Sequence, residues 1–199
     1  AAAAATRVGS RLQPAGCLTT TVTGPTVTYV FNDCTGPYGM VHVTGTVTAL
    51  YSRAGNGAVQ AVITGTGVKV NAATVDLNST VIASQSNGVK KADVVTNADA
   101  TGPRGNTITR DGAYVVTWDT TSQCITIDGT WTTKAGVRTA STVVAGYKRC
   151  KGACPAAGGS IVHTSARTNV VTLTYDGDAT AAWVTADGKS GTVTLQCGG

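Results

Sequence analysis

The chain has 199 residues, of which 42% are hydrophobic and only 13% are charged. That charged share is about half of what ordinary soluble domains carry, so uncharged polar side chains must hydrate the surface. Thr and Val dominate, with 36 and 26 copies, and all 10 acidic residues are Asp. Because β-branched residues favour strands, and the chain has one Met and no Glu, the composition makes helix the exception and predicts an all-β fold.

The formal net charge is +5, but the basic residues are scattered along the chain. A nucleic-acid surface needs a dense basic stripe with interleaved aromatic residues, and aromatics make up only 5% here. No apolar run approaches the length of a membrane span. We therefore expect neither a nucleic-acid partner nor a transmembrane segment.

The N-terminal stretch 1–16 shows no alternation of polar and apolar side chains, and we predict that it forms an arm. Residues 17–199 are predicted to form a single β domain. A subdivision near 101–106 is the alternative, because Gly, Pro and Asn interrupt the pattern there. The arm residues expected to contribute to assembly are Ala1, Ala5, Arg7, Val8 and Leu12.

From Cys17 onward, β-branched and alternating segments are separated by turns rich in Gly, Pro, Asn and Asp, a pattern typical of consecutive strands. Within 40–52, for example, Val43 and Val47 share one face while Thr44 and Thr48 share the other, as in a half-buried antiparallel sheet. The number of strands predicts an antiparallel sandwich, a meander or a barrel. The predicted strands are 18–23, 26–32, 40–52, 58–70, 74–84, 89–97, 107–117, 124–133, 138–148, 160–164, 169–175, 179–185 and 191–197.

Thr-x-Thr pairs recur along the chain, for example at Thr21–Thr23, Thr26–Thr28 and Thr64–Thr66. Their spacing is irregular, and Thr is the polar residue best suited to strands. We interpret the pairs as a consequence of strand propensity and do not expect the threonines to form a regular array.

Six cysteines in a strand-rich chain with two His favour disulfides and an oxidising compartment. Cys17 and Cys34 flank a hairpin that turns near Gly24-Pro25, and placing Gly24 opposite Val27 also places the two cysteines opposite each other. Cys150 and Cys154 are close enough in sequence to staple a loop, which leaves Cys124 and Cys197 as the third pair. Several connectivities remain open, and only the first pair has a geometric argument.

The residue types that usually carry catalysis are sparse. His42 and His163 both lie on predicted strands, and no Gly-x-Ser-x-Gly elbow accompanies them. Several Asp residues stand in Asp-Gly turn signals, such as Asp111-Gly112, Asp128-Gly129 and Asp176-Gly177. We therefore expect no enzyme activity, no catalytic residues, no cofactor and no metal site.

Aromatic side chains offer one route to ligand binding. Trp118, Trp131 and Trp183 could line a face that stacks on sugar rings, although one or more of them would suit the core equally well. We predict these three residues as a ligand face for a glycan.

The stretch Phe31-Asn32-Asp33-Cys34-Thr35-Gly36-Pro37-Tyr38-Gly39, followed by the Val-Thr-Gly-Thr-Val-Thr of 43–48, resembles uncharacterised Thr-rich, Cys-containing proteins of myxobacteria and their relatives. Segments 147–154 and 171–197 are similar to the same group, whose members are secreted or lipid-anchored. The resemblance implies export and a β fold, and no activity. The chain differs from lipid-anchored members in carrying residues ahead of Cys17.

These observations predict a non-catalytic structural protein that is secreted to the extracellular space or the cell surface. The expected assembly is a homo-oligomer or polymer, such as a surface fibre, in which the N-terminal arm docks into a neighbouring copy. Exposed strand edges of a Thr/Val sheet would also be templates for strand addition. The alternative is a monomeric surface module that binds carbohydrate or another envelope ligand.

Overall fold

A computed structural model describes residues 12–36 and 40–197 of the chain. The strands are β1 (Leu18–Thr23), β2 (Thr26–Thr35), β3 (His42–Arg53), β4 (Val59–Val70), β5 (Ala73–Ser86), β6 (Val89–Thr101), β7 (Thr107–Asp119), β8 (Cys124–Ala135), β9 (Arg138–Cys150), β10 (Ser160–Thr164), β11 (Val170–Tyr175), β12 (Thr180–Thr185) and β13 (Ser190–Thr194). The helical structure in the described residues is a 3-10 turn at Gly55–Gly57. The predicted all-β class is confirmed, and each predicted strand corresponds to an observed one.

The strands follow one another in a 13-stranded sheet with the order β1 to β13, so each strand lies beside its neighbour in sequence. Of the architectures that the sequence allowed, the antiparallel meander is the one observed, and the sheet is not closed. The connections are short because they use residues that tolerate positive φ, such as Gly24 (φ 57°), Asn71 (φ 53°) and Gly136 (φ 59°). Such turns let a chain double back without a crossover.

The chain divides into two compact units, which we describe separately. The first unit contains the described residues up to Ile82 together with Thr96–Thr109, so the 101–106 segment lies within it. Its core is built on Val27, Tyr29 and Ala49, which occupy one face of β2 and β3. Burial raises the pKa of Tyr29 to about 12, with a smaller contribution from Tyr51. The partly buried residues packed against this core are Leu18, Phe31, Tyr51 and Ile63.

Removal of two methyl groups from Val27 should destabilise the first unit. Val27 has no exposed surface, so Val27→Ala leaves a cavity and is expected to lower the free energy of unfolding by about 2 kcal/mol. Val30→Ala is the matched control, because Val30 lies on the opposite face of the same strand and is 41% exposed. Urea unfolding followed by circular dichroism would measure both, and equal losses would contradict the assignment of the core face.

The second unit contains Ala83–Val95 and the described residues from Arg110 onward. A row of apolar side chains crosses β9 to β12 through Val144, Ile161, Leu173 and Trp183, which are direct cross-strand partners. Tyr175 is buried on the same face, and its ring meets that of Tyr147 edge to face at 5.3 Å between centroids. This face therefore forms the core of the second unit.

Three disulfides staple the chain, and the predicted Cys17–Cys34 pair is confirmed. The register differs from the predicted one, however. Thr23 pairs with Thr26 around a two-residue turn, so the ladder places Cys17 beside Asn32, whose N–H donates to the Cys17 carbonyl at 2.9 Å. An irregularity between Phe31 and Cys34, with Asp33 at φ 51°, brings the second sulfur into reach.

The other two predicted pairings are wrong. Cys124 bonds to Cys150, and Cys154 bonds to Cys197. Cys124 opens β8 and Cys150 closes β9, so the two residues lie directly opposite each other in an antiparallel hairpin. The four-residue spacing of Cys150 and Cys154 suggested a local staple. Strand pairing decides otherwise, and it includes a register shift between Ile127 and Gly129 without which Cys124 would lie opposite Arg149.

Candidate functional site

The outer edge of β1 is the first candidate interaction surface. β1 is the end strand in the sheet order, and no strand within 12–36 or 40–197 pairs with its outer side. Natural edge strands are usually protected by charges, Pro or bulges. β1 has the sequence Leu-Thr-Thr-Thr-Val-Thr and pairs with β2 over six consecutive positions without a shift, so it carries none of these protections.

The direction of each backbone group in β1 follows from the alternation of an antiparallel ladder. Because the Asn32 N–H donates to the Cys17 carbonyl, Cys17 and every second residue after it, including Thr19 and Thr21, bond to β2. The N–H and C=O groups of Leu18, Thr20 and Val22 therefore point to the open side. This edge can accept another strand.

A second candidate surface is the threonine face, the side of β1 to β4 that lies opposite the Val27 core. Four threonines stand in one straight row across these strands, because Thr21 pairs with Thr28, Thr28 with Thr48, and Thr48 with Thr64. The Oγ1 atoms of Thr48 and Thr64 lie 2.8 Å apart, at hydrogen-bond distance. The row is flanked by Thr19–Val30–Thr46 on one side and Thr23–Thr26–Leu50–Val62 on the other.

The threonine face corrects the interpretation of the Thr-x-Thr pairs. The pairs are irregularly spaced in sequence because the turns between strands differ in length and because the β3–β4 ladder contains a register shift. The strand register compensates for those differences, and the threonines form regular rows. Within a row, residues on neighbouring strands are about 4.8 Å apart. No charged residue stands in the three rows. Only the pairing of strands could have revealed this surface.

A third candidate surface is a cleft in the second unit with a volume of about 650 Å³. Trp118, near the end of β7, lines the cleft, and its side chain is 52% exposed. The Lys90 ammonium lies 5.5 Å from the centre of the Trp118 ring, within cation–π range. Arg149 and Lys151 line the cleft as well, so it combines an exposed indole with positive charge.

The other two tryptophans of the predicted ligand face lie elsewhere in the second unit. Trp131 and Trp183 are half-buried on the core face, and neither lines the cleft. The Arg110 guanidinium lies 5.5 Å from the Trp131 ring. A Cβ on Gly191 would approach the Trp183 ring to 2.9 Å, so the indole packs closely over the β13 backbone. The structure therefore separates Trp118 from the two core tryptophans.

The two histidines make cross-strand hydrogen bonds. His42 Nδ1 lies 2.9 Å from Asp33 Oδ1 in the first unit, and His163 Nδ1 lies 2.9 Å from Thr142 Oγ1 in the second. His163 and Thr142 are direct partners in the β9–β10 ladder, a common location for such pairs. Within 12–36 and 40–197, no three His, Cys or Asp residues stand close enough to hold a metal ion.

Several aspartates stabilise turns. Hydrogen bonds from the Ser122 hydroxyl and from the Thr121 and Ser122 N–H groups hold the pKa of Asp119 below its usual value. The Asp178 N–H and the Thr180 hydroxyl likewise donate to the Asp176 carboxylate and lower its pKa. These carboxylates stay ionised at neutral pH and close the turns, as Asp commonly does.

The predicted arm is described only in part. Ala1, Ala5, Arg7 and Val8 lie outside the described residues, and Leu12 is half-buried. Gln13 forms an isolated antiparallel bridge with Thr35, whose N–H donates to the Gln13 carbonyl at 2.6 Å. The end of the 1–16 segment is therefore attached to its own chain next to β2.

No protein-family model, curated protein sequence or solved structure matches this chain. The resemblance to Thr-rich myxobacterial proteins therefore stays a prediction. In the part of the chain that the structure describes, no helix has the length and hydropathy that a membrane crossing requires.

Proposed function

We propose that this chain is a non-catalytic structural protein of the extracellular space or cell surface that assembles with copies of itself. The observation that carries the proposal is the outer edge of β1, with which no strand within 12–36 or 40–197 pairs and which has no charge, Pro or bulge. An edge strand that has free N–H and C=O groups, no charge and no bulge is a template for another strand. Strand addition extends a sheet and is a natural way to build a fibre.

The threonine face supports the same proposal. Soluble monomers usually carry mixed charges over an exposed sheet face, whereas the three rows of this face hold only Thr, Val and Leu. Val30 and Leu50, on this face, are both exposed. A second copy could cover such a face without burying any charge, which avoids the desolvation cost of buried ions. Three disulfides are typical of proteins made for an oxidising compartment.

The N-terminal arm is the second proposed route to assembly, and a deletion tests it. Removal of residues 1–11 keeps the Gln13–Thr35 bridge and should leave a folded monomer that no longer polymerises. Size-exclusion chromatography with light scattering and negative-stain microscopy would measure the result, with deletion of 198–199 as the control. Polymers that persist would exclude the arm, and a wild-type chain that stays monomeric at high concentration would contradict self-assembly itself.

The alternative function is a monomeric surface module that binds carbohydrate. The exposed indole of Trp118 beside two cationic side chains favours it, because a sugar-binding protein needs an aromatic platform in the open. Chromatography and glycan binding separate the two functions, since a polymer need not bind glycan and a lectin need not polymerise.

A further inference from the structure

The cleft at Trp118 lies where three turns of the second unit meet. The Gly88 carbonyl, in the β5–β6 turn, accepts hydrogen bonds from the N–H and hydroxyl of Thr120, in the β7–β8 turn. The Lys151 N–H donates to the Gln123 carbonyl at 3.1 Å, which joins the β7–β8 turn to the segment after β9. The cleft is therefore held together by backbone hydrogen bonds.

A disulfide makes one wall of the cleft rigid. Cys150 lines the cleft and is bonded to Cys124 across the β8–β9 hairpin. The next pair in the ladder is Ile125 with Arg149, two residues that also line the cleft. Arg149 Nε donates to the Ala153 carbonyl at 3.2 Å, which orients the guanidinium while using one of its five N–H groups. A preorganised cation of this kind costs little entropy to bind an anion.

The charge of the cleft is positive. Arg149 and Lys151 line it, Lys90 stands over the indole, and no Asp is among the described residues that line it. The nearest acid in sequence is Asp119, whose carboxylate is engaged by the N–H groups of Thr121 and Ser122. Thr120 and Gln123 supply uncharged hydrogen-bonding groups at the same rim.

We propose that this cleft binds an acidic polysaccharide, with a sugar ring stacked on Trp118 and a carboxylate or sulfate held by Arg149 and Lys151. A flat, half-exposed indole suits the apolar face of a pyranose ring. A guanidinium and an ammonium suit the anionic substituent. The inference gives the alternative function a defined site and ligand class, and it does not depend on polymerisation.

The test is calorimetric binding of hexasaccharides to the full chain, with one polyuronate, one sulfated glycan and one neutral glucan. Trp118→Ala and Arg149→Gln should each weaken binding of the acidic sugars at least tenfold, and added salt should weaken it further. Trp118→Tyr keeps an aromatic ring and should keep most of the affinity. Arg167→Gln is the matched control, because it removes the same charge from a residue outside the cleft lining.

The polyuronate and sulfate arms identify which anion is preferred, and binding of either one supports the proposal. Equal binding of the neutral glucan, equal loss in Arg167→Gln, or no binding up to millimolar concentrations would overturn it. Equal or tighter binding of a single-stranded RNA hexamer would overturn it in favour of a general polyanion surface. The measurements should be repeated on a Thr20→Pro variant, which removes an N–H group from the open side of β1 and should block strand addition there. Failure to bind glycan and failure to assemble are then read independently.

Discussion

Thr20→Pro is expected to abolish the proposed assembly through β1 while leaving the monomer folded. The Thr20 N–H points to the open side of β1, so Pro at this position removes a donor that only an incoming strand would use. Pro is tolerated on edge strands at such positions. Chromatography with light scattering should show the loss of large species, and the melting temperature of the monomer should change little.

Thr21→Pro is the matched control for that experiment. The Thr21 N–H points to β2, so the same substitution one residue later removes a ladder hydrogen bond of about 1 kcal/mol and distorts the hairpin. We expect Thr21→Pro to lower stability and Thr20→Pro to spare it. Polymers that survive Thr20→Pro unchanged would contradict the use of this edge, whichever effect Thr21→Pro has.

Loss of the Cys154–Cys197 disulfide should destabilise the second unit by about 4 kcal/mol in the chain-entropy model, because the bond closes a loop with a sequence separation of 43. Cys154→Ser with Cys197→Ser tests this by urea unfolding. Tryptophan fluorescence reports on the second unit, because this unit contains Trp118, Trp131 and Trp183. The pair Cys17→Ser with Cys34→Ser is the comparison in the first unit, where circular dichroism is the readout. Its sequence separation is 17, and about 3 kcal/mol is expected.

Peptide mapping without reduction checks the pairing on which that prediction depends. Cleavage after Lys151 separates Cys150 from Cys154, so the two bonds give different cross-linked peptides. We expect Cys124 linked to Cys150, and Cys154 linked to Cys197. A peptide in which Cys150 is joined to Cys154 would contradict the observed connectivity and remove the basis for the 4 kcal/mol figure.

Sequence reasoning located the strands because the signals are local. Alternation of Val and Thr identifies a half-buried strand such as β3, and turn residues such as Asn87-Gly88, between β5 and β6, mark where a strand ends. Strand ends were less accurate: β6 was predicted to end at residue 97 but ends at Thr101, and the end of the last strand was also misplaced. The predicted segment ran to residue 197, whereas β13 ends at Thr194 and is followed by the Cys197 disulfide. The alternation of apolar residues continues past Thr194 to Cys197, so the pattern alone does not distinguish the end of the strand from the segment that the disulfide holds.

The candidate sites were harder to predict, because each depends on residues far apart in sequence. Trp118 was identified as a ligand residue, yet nothing local distinguishes it from Trp131 or Trp183, which lie on the core face. In the sequence, Arg149 and Lys151 are two of the basic residues that are scattered along the chain. Their position beside Trp118 follows from the β8–β9 pairing and the disulfide at Cys150.

The sequence by itself determined that the chain is an antiparallel β protein held by disulfides, because strand propensity, turn chemistry and the Cys17–Cys34 hairpin act over short distances. Only the tertiary structure decided the register. A shift of two residues between the predicted and observed hairpin moved Cys17 from opposite Cys34 to opposite Asn32. The same register aligned irregularly spaced threonines into rows and paired Cys124 with Cys150. Turn type and loop length fix the register of a hairpin, and a two-residue shift leaves every side chain on the same face, so the alternation of polar and apolar residues does not distinguish the two registers.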